Sequence, residues 1–316
     1  MQSKQAKATA TAPGKIILFG EHAVVYQRPA IAVPVTSVGA SVTVTALPAG
    51  DLLWITAQQV GLDCALSDLP DDHPLALAVA GTMQQFGQAH LPALRLEITS
   101  TIPIAAGLGS GAAVSAAIAR ALSVYSGIPL TDEQVSSIAY RVDQKHHGNP
   151  SGIDNTVIAY AQPIWFVRGQ GFERLTVAEP FTIVIGDSGV PSPTGAVVGD
   201  LRQRRDANSD FYERLFDQIG AIAAQARVLI EQGPSSALGT LMTQNHALLQ
   251  TLDVSSQKLD TLVAAALDAG ALGAKMCGGG RGGNMIALVT GEAAPTVADA
   301  LRAAGATGTI VTTIRG

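Results

Sequence analysis

The chain carries 316 residues, 47% hydrophobic, 14% charged and 4% aromatic, which excludes disorder as the dominant state and gives length enough for two domains. Its 20 Lys plus Arg against 25 Asp plus Glu leave a formal charge of −5, so there is no basic field to gather a nucleic-acid backbone or an anionic membrane. Two cysteines, Cys64 and Cys277, cannot frame a disulfide scaffold and fit a reducing, cytoplasmic setting.

In chain order, Lys4, Lys7 and Lys15 enclose no apolar stretch of the kind a secretory leader needs. Residues 15–19 predict a strand running into Gly20-Glu21-His22-Ala23-Val24-Val25-Tyr26, a string that is ordinarily a polar turn. Residues 29–50 are uncharged but broken by Pro34, Gly39 and Pro48; within them, residues 40–46 predict a strand with Val42 and Val44 on one face. A helix is predicted at 75–86 and a strand at 94–98. Residues 98–119 are also uncharged, yet Pro103, Gly107, Gly109 and Gly111 deny them the unbroken helix that lipid demands, so no membrane span is expected. Helices follow at 110–125 and 132–146. In the second, Val135, Ile138, Ala139 and Val142 recur with helical period before Gly148, Asn149 and Pro150 stop it. After the glycine-rich residues 168–171, a strand at 181–185 opens a second domain, so the expected division is 1–178 and 179–316. The remainder reads as mostly helical, with a stripe of Leu259, Leu262, Val263, Ala266 and Leu267 ending at Gly270, flanked by strands at 285–289 and 309–313.

Three further segments carry more than packing requires. In the first, Gly107-Leu108-Gly109-Ser110-Gly111-Ala112 runs directly into an alanine-rich helix. Glycines let backbone N–H groups approach an anion, and a helix start adds unpaired donors and the positive end of its dipole, so the segment reads as a phosphate cradle or as a close-packed turn. It also fits the dinucleotide pattern G-x-G-x-x-G/A, with Asp132 about 20 residues on. A dinucleotide fold, however, has its glycines directly after a strand, whereas residues 99–106 intervene here and Asp132 opens a helix.

The second segment places Asp143 near a helix C-terminus and Asp154 just past a tight turn. One carboxylate could hold Mg²⁺ and the other could accept a proton, although Ser151-x-x-Asp154 also fits a capping box. Lys145, His146 and His147 read as solvated cations at a helix end. The third segment, Lys275-Met-Cys277-Gly278-Gly279-Gly280-Arg281-Gly282-Gly283, implies backbone packed closely against a ligand or another loop, or else a flexible hairpin.

Together with residues 13–25, these segments resemble the GHMP kinases, the family of galactokinase, homoserine kinase, mevalonate kinase and phosphomevalonate kinase, and are most similar to its mevalonate kinases. Residues 13–25 resemble the first family motif, 103–115 the ATP loop, 147–155 the catalytic segment, 189–194 a substrate-side loop and 275–283 the third motif, in the family's order and over nearly the whole chain.

The resemblance implies an α+β, two-domain GHMP kinase fold, with a left-handed βαβ unit in the N-terminal domain and a ferredoxin-like C-terminal domain. It implies transfer of the ATP γ-phosphoryl group to the C5 hydroxyl of mevalonate with Mg²⁺, no nucleic-acid or membrane partner, and is compatible with a homodimer. Carried over position by position, it makes Asp154 the catalytic carboxylate and Lys15 its partner. It assigns ATP to Pro103, Ala105, Ala106, Gly107, Leu108, Gly109, Ser110, Gly111 and Ala112, and the metal to Ser110 and Asp143. It assigns the acceptor to Lys15, Glu21, His22, Asp154, Thr194 and Gly279. Four positions depart from the pattern: Asp143 replaces a common Glu, Ser192 an Arg for the acceptor carboxylate, Gly111 the second serine of the ATP loop, and Cys277 a threonine. Lys15, His22 or Arg281 could compensate for the missing Arg. The remaining alternatives are a phosphomevalonate kinase or another GHMP small-molecule kinase, an NAD-linked oxidoreductase and a metabolite-binding regulator without catalysis.

Overall fold

The computed structural model describes residues 7–48, 52–88, 90–103, 106–147 and 150–316, apart from the side chains of His146 and His147, so Ala105 and the stop signal at Gly148 and Asn149 lie outside the described residues. The chain is α+β and forms two compact units. One comprises Met1–Gly14, Val38–Ile104 and Gly109–Ala161, the other Lys15–Ser37, Ala105–Leu108 and Gln162–Gly316.

The first unit is built on the start of β1 (Lys7–Phe19) and the end of β2 (Ala30–Ala46), which pair with each other. β2 then pairs antiparallel with β5 (Leu94–Ser100), setting Val42 opposite Ile98 and Val44 opposite Leu96, all four buried. This is the alternation visible in the sequence: apolar side chains on one face and Thr43, Thr45 and Glu97 on the other. β3 (Leu53–Ala57) runs parallel to β5 and carries β4 (Leu62–Ala65) as a hairpin.

Helix α1 (Pro74–Phe86) starts where His73 Nδ1 accepts from Leu75 N and Pro74 presets the first turn; it ends at Gly87 in a left-handed conformation. α2 (Ser110–Ser126) buries Ala112, Ala113, Ala116, Ala117, Ala119 and Ala121. With so little side-chain bulk, neighbouring helices can approach this one from several directions. α3 (Asp132–His147) turns Val135, Ile138, Ala139 and Val142 inward, and α4 (Ile153–Tyr160) is short and almost wholly buried.

In the second unit, β6 (Ile164–Val167) pairs with Ala30–Ala32 of β2 and forms a hairpin with β7 (Gly171–Arg174). The main sheet holds β8 (Phe181–Asp187), β9 (Gly273–Cys277), β10 (Asn284–Val289) and β11 (Gly308–Ile314) in the antiparallel order β11-β8-β10-β9. Between β8 and β9 lie α5 (Thr194–Ala207), α6 (Ser209–Gln232), α7 (Leu238–Thr251) and α8 (Gln257–Asp268); α9 (Ala294–Ala303) joins β10 to β11. This is the ferredoxin-like order, enlarged by three extra helices in its first crossover. β9 and β10 are buried along their whole length, so their apolar runs lack alternation. Leu259, Leu262, Val263 and Ala266 of α8 join the same core, each large aliphatic side chain contributing about 1.5–3 kcal/mol by burial. No helix among the described residues is long and apolar enough to cross a membrane.

Candidate active site

The glycine loop is shaped by its carbonyls. Ala106 O accepts from the side-chain amide of Asn284 at the start of β10, and Leu108 O accepts from Lys15 N at 2.9 Å. Because a trans peptide sets N–H opposite C=O, fixing these two carbonyls turns the N–H groups of Gly107 and Gly109 the other way. Both glycines are left-handed, at φ 72° and 76°, and Gly107 is exposed with nothing within 4 Å of a would-be Cβ. Gly109 is also the N-cap of α2 and brings no side-chain cap, so the first-turn amides of this 17-residue helix keep their donors for a ligand. Pro103 and Ser110 flank the loop half-buried, and Ala112 is already core.

Asp143 in α3 faces the same helix start. A Cβ on Gly111 would lie 3.9 Å from Asp143 Oδ1, which puts the carboxylate beside the first turn that Ser110 opens. A carboxylate, a hydroxyl and a phosphate cradle make a hard oxygen set of the kind Mg²⁺ takes with several retained waters. No cluster of three or more His, Cys, Asp or Glu able to hold a metal occurs among the described residues.

Asp154 sits half-buried in the first turn of α4. The N-cap there is Gly152 at φ 91°, and Ser151 Oγ accepts from Ile153 N at 3.4 Å, so the expected capping box does not form. The helix start is held instead by the buried Asn155, whose side-chain oxygen accepts from Ser136 Oγ of α3 at 2.8 Å while its nitrogen donates to Gly152 O at 3.0 Å. Thr156 Oγ1 donates to the same carbonyl at 2.6 Å. At the other end of α4, Arg120 of α2 donates to Ala159 O and pairs with Asp132 at 2.9 Å. The carboxylate is therefore carried on a clamped element. Lys145 in the preceding helix is exposed, as a solvated cation should be.

In the second unit, His22, Ser192, Thr194 and Gly279 gather at one place. A Cβ on Gly279 would meet Thr194 Oγ1 at 2.3 Å and Ser192 Oγ at 2.9 Å. His22 is 5% exposed and adopts φ 62°, ψ −47°, a backbone state costing about 1–3 kcal/mol that survives only where the surroundings impose it. Neither imidazole nitrogen makes a well-formed hydrogen bond. The nearby Gly279 carbonyl favours the protonated ring, but burial, aided by Lys275, Arg204 and Arg281, outweighs it and lowers the His22 pKa to about 4. The ring is thus neutral near pH 7, with one nitrogen to donate and one to accept.

The glycines of residues 278–283 pack on other loops. A Cβ on Gly280 would meet Val254 O at 2.0 Å, and one on Gly282 would meet Pro191 O and Val190 O at 2.6 Å. Ser192 Oγ donates to Gly280 O at 3.0 Å, so the residue replacing the family's usual Arg acts as a stitch between loops. Arg281 is committed to Asp200 at 2.5 Å and Asp253 at 3.1 Å. A neutral His22 and an Arg281 shared between two carboxylates are poor substitutes for a dedicated guanidinium. Cys277, in place of threonine, donates its thiol to Ile17 O at 3.2 Å, and burial pushes its pKa up to about 11.

Lys15 is 5% exposed at the C-terminal half of β1. Glu21 was expected to face the acceptor, but its carboxylate is fully enclosed: one oxygen pairs with Lys275, itself 0% exposed, and the other accepts from Asn245 Nδ2 at 3.3 Å. Asn245 carries no signal in the sequence, and Lys275, although it opens the third glycine segment, is given no role by that motif. A lysine inside a strand as apolar as Gly273–Cys277 is the one signal that could have marked its burial.

Residues 74–162 match the family model of the GHMP kinases N terminal domain and residues 226–307 that of the GHMP kinases C terminal domain. The chain is 34% identical to the mevalonate kinase of Pyrococcus furiosus, over 95% of this chain and 94% of that protein. It is 36% identical to the mevalonate kinase of Thermococcus gammatolerans, again over 95% and 94%. The crystal structure of L. major mevalonate kinase in complex with R-mevalonate matches with a TM-score of 0.87 at 28% identity, covering 98% of this chain and 97% of that one. On sequence, fold and motif order alike, the chain belongs to the GHMP kinase family, with mevalonate kinases as its relatives.

Proposed function

We propose that the chain phosphorylates the C5 hydroxyl of (R)-mevalonate at the expense of ATP, an early step toward isoprenoid precursors, and works in the cytoplasm. The observation that carries this reading is the end-to-end relationship to mevalonate kinases, 34% identity over 95% of the chain. The gathering of His22, Thr194 and Gly279, the acceptor positions the motifs assign, supports it.

An alcohol is a weak nucleophile, and phosphoryl transfer rests mainly on positioning and charge stabilisation. In this reading Asp154 accepts or orients the C5 hydroxyl proton, and Lys15 offsets negative charge as the hydroxyl oxygen bonds to the γ-phosphorus and the bond to the β–γ bridging oxygen breaks, with ADP leaving. The amides of Gly107, Gly109 and the α2 start hold the phosphates. Ser110 and Asp143 would hold Mg²⁺, which when bound neutralises phosphate charge. Asp143 is a methylene shorter than the usual Glu, which suits binding through a retained water. The neutral His22 and Thr194 would hydrogen-bond the polar groups of the acceptor, a stronger filter against lookalikes than an apolar pocket.

The test is a coupled ADP-release assay with mevalonate, phosphomevalonate, homoserine and galactose. Turnover on mevalonate well above the rest is expected. Preference for phosphomevalonate would reassign the acceptor, nicotinamide reduction without ADP would point to an oxidoreductase, and nucleotide binding without turnover would point to a regulator.

A further inference from the structure

Glu21, Lys275 and Asn245 lie beside the acceptor cluster but none of them opens onto it. Lys275 is 0% exposed and Glu21 1%, and Asn245 on α7 is 0% exposed. The two carboxylate oxygens of Glu21 are divided between Lys275 Nζ and Asn245 Nδ2. Next along both elements, His246 Nδ1 accepts from Met276 N at 3.3 Å, so α7 and β9 are stitched at adjacent residues. A fully buried ion pair is a weak source of stability, because desolvation offsets most of its attraction and apolar replacements of similar shape often serve as well. Its value here is where it stands: Glu21 is bonded directly to His22, whose backbone is held at φ 62° and whose two ring nitrogens are buried without a well-formed partner. The turn is closed on the other side by Gly20 at φ 94°, where a Cβ would strike Pro29 O at 2.4 Å, and by Val24 N donating to Gly20 O at 3.1 Å. The peptide between residues 21 and 22 is thereby gripped from both sides.

We propose that Glu21, Lys275 and Asn245 form a buried clamp that holds His22 in its strained conformation and so sets acceptor recognition, making all three positioning residues that never touch the acceptor. This rests on the reading of His22 as an acceptor contact. It replaces the direct acceptor role expected of Glu21, and it gives a purpose to a lysine sealed inside a strand.

The experiment uses the full chain carrying the neutral double substitution Glu21→Gln with Lys275→Met, with Asn245→Ala, which leaves the ion pair in place, as a second variant. Steady-state kinetics are run with mevalonate and ATP varied separately, and the His22 imidazole is titrated by NMR after assignment with His22→Gln. In the double variant KM for mevalonate should rise about tenfold or more while KM for ATP stays within about twofold, and the His22 pKa should climb from about 4 toward its ordinary 6.5. Asn245→Ala should move both in the same direction by less. A folded double variant with unchanged KM for mevalonate overturns the clamp, as does an unmoved His22 titration in Asn245→Ala, which keeps the Lys275 charge that itself lowers the His22 pKa. If the double variant fails to fold, the same two criteria are applied to Asn245→Ala. A wild-type protein without turnover on mevalonate would sink the proposed function alone, because the titration of His22 still decides the clamp.

Discussion

Asp154 offers the sharpest separation of chemistry from structure. Its helix is capped by Gly152 and anchored through Asn155 and Thr156, and these holds on the start of α4 stay in place when the carboxylate is exchanged for an amide of the same shape. Asp154→Asn should therefore keep its melting temperature within a few degrees while kcat falls by roughly 10² or more with KM for ATP little changed, measured by steady-state kinetics and thermal denaturation. The two cysteines make a second test at this scale. Cys277 is buried, hydrogen-bonded and held above the usual thiol range, whereas Cys64 is half-buried. Thiolate is the reactive form, so brief alkylation of the native protein at pH 8 should label Cys64 and spare Cys277 by mass spectrometry, with both labelled in denaturant. The glycine loop announced itself in the sequence by its own composition. The partners of Glu21 could not have been read there, because Lys275 lies 254 residues away and only the folded sheet brings it back.

Among the elements, those with a clean period were legible and those without one were not. Residues 132–146 and 259–267 showed an apolar stripe and became α3 and α8. Helix α5 escaped because only Val197 and Leu201 of its 14 residues are buried, too few to mark a face among Arg, Asp and Gly. β3 and β4 were missed because they are short and their hairpin face carries Thr56 and Asp63, joined by a hydrogen bond of 2.8 Å. The crossing of α7 with the start of β9 yields a prediction of its own. A Cβ on Gly239 would sit 2.2 Å from Leu272 O, and one on Gly273 would sit 1.9 Å from Gly239 O, so one backbone lies directly on the other. Gly239→Ala should destabilise by about 1–3 kcal/mol or more, as overpacking against an unyielding backbone does, and urea titration should show a lower midpoint at an unchanged slope.

For the molecule as a whole, the buried histidines set a direction with pH. His22 is lowered to about 4 and His246 is also lowered, in both cases chiefly by burial. The unfolded chain protonates such groups near pH 6.5 while the folded chain resists, so the unfolded state binds more protons below that point. Stability should thus be flat above about pH 7, fall as pH drops from 6.5 toward 4, and then lose its dependence on His22. Chemical denaturation at a series of pH values should show this slope reduced in His22→Gln. The ferredoxin-like half was foreshadowed only by family resemblance, since its strand order depends on pairings such as Ile185 with Ile286 and with Ile310 that no local pattern encodes.

The contact between Gly239 and Gly273 reaches beyond stability. With less than a methyl group's width between two main chains, neither position can drift alone, and enlarging both at once would require the whole helix to back away from the sheet. The next two residues of that strand, Ala274 and then Lys275, lead straight to the clamp on Glu21. On the proposed reading the crossing is a fixed datum for the clamp, and a laboratory effort to change which alcohol is accepted should spare it while the exposed Thr194 is varied.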